Sequence, residues 1–587
     1  MEPATPLPFD RSFAAVDDYI HALFDFAASH ELFKALCGGV HILGFFTVQP
    51  PIYSSFLPQE WRRWFDLHDV ASILDLLLRE DVAVLERMRD SSQDAGSSSS
   101  WREFEAPPAS LLDFVLSVRQ LSLKRVPSSG SLDKLSVSLP HSAIVGMKPK
   151  KIHETQLFAR YVSELQAYIS QHSNHEISHV VDFGSGQNYL GRTLAADPYN
   201  QRIIALERKQ HNIGGAQIKD VRAKLVEKPK RIVNKKAFRQ HVRLTRVPTN
   251  AQTDVVSHTP MVGSLPFASS AVAQAVEPVN SPIVYVERDI ENGDLSFLTS
   301  SIQSDERHSP QYLVISLHSC GDLLHHGLRS LVSNDAVKAV AMVGCCYHLN
   351  SDRLGPPTWK PPFSRQQQDC SDEAVHLGNP NGFPLSERML TYRHRNGRGI
   401  RLNITARMMG SQAAANWTDQ DCGLFFQRHF YRALLQKIFL DFGLLDQVND
   451  RSTAVPGPPP KDDDNADVPI TIGSLRKSCY ISFTAYVRGA MRKLEDDQSM
   501  GRHVKNLLQS LTDEQIVAYE TRFAAQKREL SIMWSLMSFA ASVTESIILT
   551  DRYLYLSEQS KVDRCWVQPI FDYRQSPRNL VVVGIKK

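Results

Sequence analysis

A short polar turn between two apolar runs has the residue types and spacing of a nucleotide-binding site. Asp182 lies in the apolar run at residues 179–183, and Gly184 and Gly186 follow it. A second apolar run begins about twenty residues later and ends in an acid, Glu207. Glycine lets the backbone close on a ligand because it carries no Cβ, and an acid in the second position accepts hydrogen bonds from ribose hydroxyls. The pattern predicts a strand, a glycine turn, a helix and a parallel strand.

The glycine spacing favours a cofactor without phosphates. A dinucleotide fingerprint needs a third glycine three residues after the second, and that position is Tyr189. A carboxylate at Asp182 would repel pyrophosphate but attract the ammonium and sulfonium groups of S-adenosylmethionine. We therefore expect S-adenosylmethionine, with an NAD site or a purely structural turn as alternatives. The residues expected to bind the cofactor are Asp182, Gly184, Ser185, Gly186, Glu207, Asp289 and His318.

Titratable side chains follow two later apolar runs. The run at 312–317 leads into His-Ser-Cys-Gly-Asp at 318–322, and the run at 337–343 leads into Cys-Cys-Tyr-His at 345–348. Ligands of such sheets bind beyond the carboxyl ends of the strands, so these side chains should converge beside the cofactor, under a loop at 381–384. Titratable groups at a strand end are the first candidates for catalysis or substrate positioning. The residues to which we assign that role are His318, Asp322 and His348.

Zinc binding is one alternative for this group, and we predict no metal ligand in it. The spacing matches no recognised zinc pattern, and Cys345 and Cys346 should point to opposite faces of a strand. In a further alternative, the cysteines are small apolar packing groups and the histidines form hydrogen bonds with the backbone. A redox pair is disfavoured because the Cys-x-x-Cys spacing is missing.

Apolar periodicity and breakers divide the chain into four parts. Residues 1–145 should form an α-helical region. Residues 146–445 should form the α/β core, with a helix at about 151–172, five parallel strands and a partly flexible insertion at 210–280. A Pro/Asp-rich linker follows at 446–468, and residues 469–587 should add helices and a β-hairpin that completes the sheet.

Bulk composition predicts an intracellular globular protein with one basic segment. A net charge of +3 excludes polyanion binding by the whole surface, and eight cysteines without a secretory segment indicate a reducing compartment, cytoplasmic or nuclear. The most apolar stretch, 532–549, contains serines and Glu545, so we predict a buried or amphipathic helix and no membrane span. Residues 219–246 hold eleven Lys and Arg against two acids. RNA is therefore a candidate partner, and a solvated helix face is the alternative.

Six motifs in a fixed order resemble the methyltransferase-like 25 family of eukaryotes, over about 145–445 and 470–587. The resemblance implies a class I S-adenosylmethionine-dependent methyltransferase, Rossmann-like with a seven-stranded sheet, in a fungal or other eukaryotic member. The chain departs from many members in its 210–280 insertion and in Gln187–Asn188, where Lys-Gly is common. The motifs are Lys150–Lys151–x–His153–Glu154, Asp182–Phe183–Gly184–x–Gly186, Leu317–His318–x–Cys320–Gly321–Asp322–Leu323, Cys345–Cys346–Tyr347, Gly382–Phe383–Pro384–Leu385–Ser386 and Ser576–Pro577–Arg578–Asn579.

The methyl acceptor is less defined than the fold. One member of the family carries the label ribosomal RNA adenine dimethylase, but enzymes that methylate an adenine amine present Asn/Asp-Pro-Pro-Tyr/Phe after the fourth strand, where this chain has His318–Ser319–Cys320–Gly321. The Cys-Cys-x-His run resembles a tRNA 2′-O-methyltransferase family with Cys-Cys-His-His, so RNA modification stays an expectation. A protein or small-molecule acceptor, or a non-catalytic scaffold that binds the cofactor, are the alternatives.

Overall fold

The computed structural model describes most of the chain. The predicted linker at 446–468 and the insertion from residue 227 to residue 280 lie outside the described residues. The described residues are 1–91, 105–127, 139, 144, 146–226, 281–298, 309–354, 378–395, 397–445, 469–497 and 500–587.

A seven-stranded sheet forms the centre of the protein. Its strand order is β3-β2-β1-β4-β5-β9-β8. The first five strands in the chain are parallel, and the C-terminal hairpin adds β9 antiparallel to β5 with β8 at the edge. The predicted doubly wound sheet with its closing hairpin is confirmed. The strands are β1 (His179–Phe183), β2 (Ile203–Glu207), β3 (Ile283–Glu287), β4 (Tyr312–Ser319), β5 (Val337–Gly344), β8 (Val562–Pro569) and β9 (Leu580–Lys586), and a separate two-residue ladder joins β6 (Arg393–His394) to β7 (Gly397–Arg398).

Helices cover both faces of the sheet. Strand residues alternate between two apolar cores, so Val180 faces one core and Val181 the other. One face is covered by α8 (Pro149–His172) and α9 (Tyr189–Ala195), and α10 (Gln210–Arg222) follows β2. The opposite face is covered by α11 (Asp322–Ser333) together with helices that precede β1 and helices that follow β5. Those that precede β1 are α1 (Val16–Ser29), α2 (Glu31–Lys34), α3 (Ile52–Phe56), α4 (Gln59–Leu67), α5 (Val70–Leu78), α6 (Val82–Ser91) and α7 (Ala109–Leu121). Those that follow β5 are α12 (Glu387–Thr391), α13 (Ile404–Met409), α14 (Asp419–Asp441), α15 (Phe483–Leu494), α16 (Gly501–Ser510), α17 (Asp513–Arg522) and α18 (Gln526–Ser557).

The N-terminal helices pack on α18 within that same apolar core. The Leu123 amide donates to the Ser546 hydroxyl at 2.9 Å, and the hydroxyls of Ser122 and Ser542 lie 2.7 Å apart. The described part of residues 1–145 contains helices α1 to α7. Their treatment as a separate region stays a prediction, because the structure places them in one continuous core with α14 and α18.

Helix α18 is the one described helix that is long and apolar enough to cross a membrane. It has 32 residues, and its most apolar window is 94% buried inside the protein. Such burial is typical of the core helix of a globular protein. The predicted buried helix at 532–549 is confirmed.

The strand order fixes where a ligand of this fold binds. Chain order reverses between β1 and β4, which are neighbours in the sheet. Doubly wound sheets bind their ligands where the strand order reverses, in the crevice beyond the carboxyl ends of the strands. The residues that follow β1, β2, β4 and β5 therefore define the candidate site.

Candidate active site

The turn after β1 depends on three left-handed backbone positions. Gly184 has φ +65°, Gly186 has φ +57° and Asn188 has φ +52°. Only glycine, and less often asparagine or aspartate, adopts this conformation at low cost. Asparagine at 188 thus keeps the backbone conformation that the glycine common in the resembling family would allow. The departure from the family pattern leaves the shape of the turn intact.

The acid at the end of β2 spans this turn. One carboxylate oxygen of Glu207 accepts a hydrogen bond from the Gly186 amide at 2.9 Å, and the other accepts from the Lys209 amide at 2.8 Å. The residue is 8% exposed. Both oxygens keep a second lone pair for another donor. Glu207 is therefore held against the glycine turn, and each of its carboxylate oxygens can accept one more hydrogen bond.

A network behind the turn holds its outer end. The Asn188 side-chain amide donates to the Tyr285 hydroxyl at 2.9 Å, and that hydroxyl donates to Asp220 at 2.5 Å. Arg192 donates to the other oxygen of Asp220 at 2.8 Å. Asp220 and Arg192 are both buried. Their ion pair joins α9 to α10, and the Tyr285 hydroxyl joins Asp220 to β3, so the network keeps the turn in place.

Three observations around the turn fit a ligand that carries hydroxyls and positive charge. The hydroxyl of Ser185 is buried and has no hydrogen-bond partner among the described residues. A Cβ added to Gly186 would meet nothing nearer than the Gly184 carbonyl oxygen at 4.0 Å, so the space before it is open. Burial raises the pKa of Asp182 to about 7, with Lys151 lowering it and Glu207 raising it. A bound cation would stabilise the Asp182 carboxylate and offset the cost of its burial.

A buried carboxylate on α8 holds the histidine at the end of β4. Nε2 of His318 lies 2.9 Å from Glu154, whose other oxygen accepts from the Ser576 hydroxyl at 2.7 Å. Burial alone would raise the pKa of Glu154, but the hydrogen bond and charge of His318, the Ser576 hydroxyl and the charge of Lys151 lower it to about 2. An ionised carboxylate only accepts hydrogen bonds. Nε2 of His318 therefore carries a proton, and Nδ1 is the ring nitrogen that does not bond to Glu154.

The backbone of His318 is unusual. Its φ is +73°, a value that non-glycine residues rarely adopt, and the pairing of β4 with β5 shifts register between Leu317 and Ser319. Such strain costs on the order of 1–3 kcal/mol and persists only where the surroundings impose it. The conformation sets the imidazole against Glu154, which suggests that the site requires this orientation.

Glu154 and Ser576 are missing from the residues predicted from sequence. The hydrogen bonds join three of the six sequence motifs, namely those at 150–154, 317–323 and 576–579. One signal was available, because Glu154 lies on the stripe of α8 that continues through Phe158, Tyr161 and Leu165 into the core. An acid on a buried stripe needs a partner.

The structure brings the three cysteines together, and one argument made about them is wrong. β5 ends at Gly344, so Cys345 and Cys346 follow the strand and the alternation of strand faces does not apply to them. Their sulfurs lie 3.5 Å apart, and the Cys320 and Cys345 sulfurs lie 3.4 Å apart. The Cys345 thiol, then the Cys346 thiol and the charges of His318 and His348, lower the pKa of Cys320 to about 6 against burial. The same contacts raise the pKa of Cys345.

Asp322, which we predicted to be catalytic, binds the segment after β5. Its carboxylate accepts from the Ser351 amide at 3.0 Å, the Ser351 hydroxyl at 2.6 Å and the Asn350 side chain at 3.2 Å. These contacts tie the start of α11 to the segment after β5, and the role predicted for Asp322 in catalysis or substrate positioning stays a prediction. The Asn381 carbonyl, in the loop expected over the site, lies 2.7 Å from Nδ1 of His325 on α11.

Two further predicted residues lie nearer the surface. His348 is half-buried in a short turn after β5, and its Nδ1 is buried without a hydrogen-bond partner among the described residues. Asp289 follows β3, and its largely exposed carboxylate lies 3.6 Å from Arg208. The roles predicted for His348 and Asp289 stay predictions.

Comparison with known proteins identifies the domain that contains this crevice. A family model described as a methyltransferase domain matches residues 150–353, a span that includes α8, the first five strands and the cysteine pair. The chain is a methyltransferase. Its central sheet is that of the class I methyltransferase fold.

Two curated relatives cover most of the chain. The methyltransferase is 25% identical over 515 residues to the human protein named probable methyltransferase-like protein 25, with 76% of each chain covered. It is 24% identical over 522 residues to the mouse protein of the same name, again with 76% of each covered. The resemblance to this family that the six motifs indicated is confirmed.

Proposed function

We propose that this methyltransferase uses S-adenosylmethionine, held at the turn between β1 and α9. Methyltransferase domains of this family imply that cofactor in general. The observation that carries the proposal is the carboxylate of Glu207, fixed against the Gly186 amide at 2.9 Å. Beside it lie open space and the Ser185 hydroxyl, which has no hydrogen-bond partner among the described residues. Glu207 would bind the ribose hydroxyls, Asp182 the ammonium group and Asp289 the adenine amine.

Catalysis on this proposal consists of orientation and removal of one proton. The cofactor supplies a methyl group on a sulfonium, which is reactive without further activation. The site aligns the acceptor with that methyl group, which accounts for most of the rate gain. Nδ1 of His318 takes the proton that the acceptor loses, and Glu154 with Ser576 keeps the ring oriented.

Removal of the Glu207 carboxylate should weaken cofactor binding. We expect Glu207→Ala to raise the Kd for S-adenosylmethionine at least about tenfold, because each charge-assisted hydrogen bond contributes roughly 1.5–3 kcal/mol. Isothermal titration calorimetry measures this directly. Glu207→Gln should show an intermediate loss, since an amide oxygen still accepts the Gly186 N–H.

The matched control is Glu176→Ala, an exposed acid before the amino end of β1. It should leave the affinity unchanged. Equal affinity of wild type and Glu207→Ala, with both folded by circular dichroism, would remove Glu207 from the cofactor site.

RNA is the acceptor class that we propose. The amino end of α8 carries three lysines beside the site, and the side chains of Lys150 and Lys151 lie 3.7 and 3.6 Å from Glu154. From α10, Lys219 approaches Gly146, just before α8, and lies 5.5 Å from the Tyr189 ring centre. Cations from two elements thus converge at the glycine turn, and the basic segment at 219–246 continues from there. Phosphates are the natural partners of such a cluster.

Salt dependence tests this proposal. We expect RNA affinity to fall steeply with salt, and a variant with five cations of the basic segment changed to Gln should bind more weakly with a shallower slope. Loss of five phosphate contacts lowers the slope of log K against log salt by up to about 3.5 for single strands. Fluorescence anisotropy at several salt concentrations measures both quantities. The changed residues are Lys228, Lys230, Arg231, Lys235 and Lys236.

A variant with the same loss of charge elsewhere serves as the control. It removes five exposed cations from the region between β7 and the start of α18, and it should keep the wild-type slope. Equal binding by both variants, or no binding by the wild type, favours a protein or small-molecule acceptor. The control residues are Arg476, Lys477, Arg502, Lys505 and Lys527.

A further inference from the structure

Three thiols from two strand ends form one cluster beside the candidate active site. Cys320 follows β4, and Cys345 and Cys346 follow β5. The Sγ atoms of Cys320 and Cys345 are 3.4 Å apart, those of Cys345 and Cys346 are 3.5 Å apart, and all three lie within 4.8 Å of one another. No other group of three such side chains within the described residues has this arrangement.

The spacing of the sulfurs matches what a tetrahedral metal ion requires. Zinc binds thiolates at about 2.3 Å, so two sulfurs on one tetrahedral ion are about 3.8 Å apart. The Cys320–Cys345 and Cys345–Cys346 separations of 3.4 and 3.5 Å are within a few tenths of an ångström of that value, and the third pair lies within 4.8 Å. They are much longer than the roughly 2.05 Å of a disulfide bond. The three sulfurs therefore lie close together as unbonded thiols.

Neighbouring groups hold the cluster in this arrangement. The His318 carbonyl accepts from the thiols of both Cys320 and Cys345 at 3.5 Å, and the Cys345 carbonyl accepts from the Ser411 hydroxyl at 3.2 Å. A Cβ on Gly321 would lie 2.4 Å from the Leu349 carbonyl oxygen, so this glycine lets the two loops approach each other. The contacts fix the loops that carry the thiols before any ion binds.

Exposure also fits a metal site. Cys320 is exposed and its two partners are half-buried, so an ion has a path to the sulfurs. Free cysteines that serve only as packing groups are usually fully buried, as Cys37 and Cys422 are here. Soft thiolates select zinc and similar ions over magnesium or calcium.

We propose that Cys320, Cys345 and Cys346 bind one zinc ion through three thiolates, with the fourth coordination position open toward the active-site crevice. Three protein ligands and one open position are typical of zinc sites that take part in chemistry, whereas structural sites are closed by four. The ion would tie the end of β4 to the segment after β5. This inference replaces the sequence-based prediction of no metal ligand, which depended on the unrecognised ligand spacing and on Cys345 and Cys346 facing apart.

Elemental analysis of the full chain, purified in reductant, is the first test. We expect about one zinc per chain in the wild type. Cys320→Ser and Cys345→Ser should each weaken zinc binding by at least about a hundredfold in competition with a chromophoric chelator, more than the loss of an outer partner costs. The matched controls Cys479→Ser and Cys565→Ser change half-buried cysteines outside the cluster, and both should keep the metal.

Cobalt substitution keeps the proposal testable if a serine variant fails to fold. Wild-type protein freed of zinc should bind one Co²⁺ with thiolate-to-cobalt absorption of the intensity given by three thiolates. The metal should protect the three cysteines, but not Cys479 or Cys565, from alkylation mapped by mass spectrometry. Zinc well below one per chain together with no such absorption would overturn the proposal. A Cys320–Cys345 disulfide in protein purified without reductant, with no metal bound by the reduced form, would instead identify a redox pair.

Discussion

Glu154→Gln is expected to slow methyl transfer by about a hundredfold or more while the affinity for S-adenosylmethionine stays within about threefold. The change keeps the size of the side chain but removes the charge that orients His318, whose Nε2 lies 2.9 Å from the carboxylate. The amide can also present its NH2 group to the ring and so reverse the tautomer. Transfer of tritiated methyl groups to RNA and protein fractions from cells that lack the enzyme measures kcat, and calorimetry measures the affinity.

A double variant separates positioning from general damage. If Glu154 acts through His318, then His318→Gln should be about as slow as Glu154→Gln/His318→Gln, because residues that act as a unit are not additive. The control is Glu164→Gln, an exposed acid further along α8 that pairs with Arg160 at 3.6 Å. It should keep full activity. Fully additive losses in the double variant would contradict the proposed pair.

Acid denaturation provides a second, independent signature of Glu154. Its pKa falls from the usual 4.5 to about 2 on folding, so its contribution to stability is complete above pH 4.5 and is lost as pH falls toward 2. The melting temperature of the wild type should therefore drop more steeply across this window than that of Glu154→Gln. Parallel curves would show that folding does not lower the pKa of this carboxyl group.

The strands and the glycine turn were predictable because local chemistry marks them. Parallel strands buried on both faces are short, continuous apolar runs, and the runs identified at 179–183, 312–317 and 337–343 end within two residues of the observed strands. The turn after β1 was visible because only particular residues adopt left-handed backbone there. Such features depend on residues close together in the chain.

The Glu154–His318–Ser576 contact could not be located in the same way. Its members are separated by 164 and 422 residues, and no periodicity connects positions so far apart. The motifs that contain them were recognised, but their meeting depends on how α8 and the terminal hairpin pack on the sheet. The cysteine cluster was misjudged because the end of β5 was placed too late. The strand ends at Gly344, so the alternation of side chains between the two sheet faces does not extend to Cys345 and Cys346.

Glu545→Ala should destabilise the protein by about 3–5 kcal/mol, the cost of removing one partner from a buried charged group. Glu545, on α18, is 3% exposed. One carboxylate oxygen accepts from Arg578 at 2.6 Å and from the Tyr347 hydroxyl at 2.5 Å, and the other accepts from Arg125. The substitution would leave two guanidinium groups without their carboxylate, and that of Arg578 is almost fully buried. Urea denaturation followed by circular dichroism measures the loss.

Conservative variants at the same point should cost less. Tyr347→Phe removes one hydrogen bond to the carboxylate and should cost roughly 1.5–3 kcal/mol, since both arginines keep their partner. Glu558→Ala is the matched control at the exposed end of α18, where the acid accepts from the amides of Glu387 and Arg388 at 2.8 Å. It should cost less than Glu545→Ala. A loss below 1 kcal/mol at Glu545 would show that the network does not hold these parts together.

The shape of the unfolding curve shows whether the N-terminal region unfolds together with the sheet. Glu545 joins Arg125 from the N-terminal region to Tyr347 after β5 and to Arg578 in the terminal hairpin. Because these contacts lie in one continuous core, wild-type protein should unfold in a single transition with the same midpoint by circular dichroism and by tryptophan fluorescence. Two of the seven tryptophans, Trp61 and Trp64, lie on α4 and report on the N-terminal helices. In Glu545→Ala the N-terminal helices lose their charged link to the sheet, so the fluorescence midpoint should move to lower urea than the circular dichroism midpoint. Two separated transitions already present in the wild type would show that residues 1–145 fold as an independent unit.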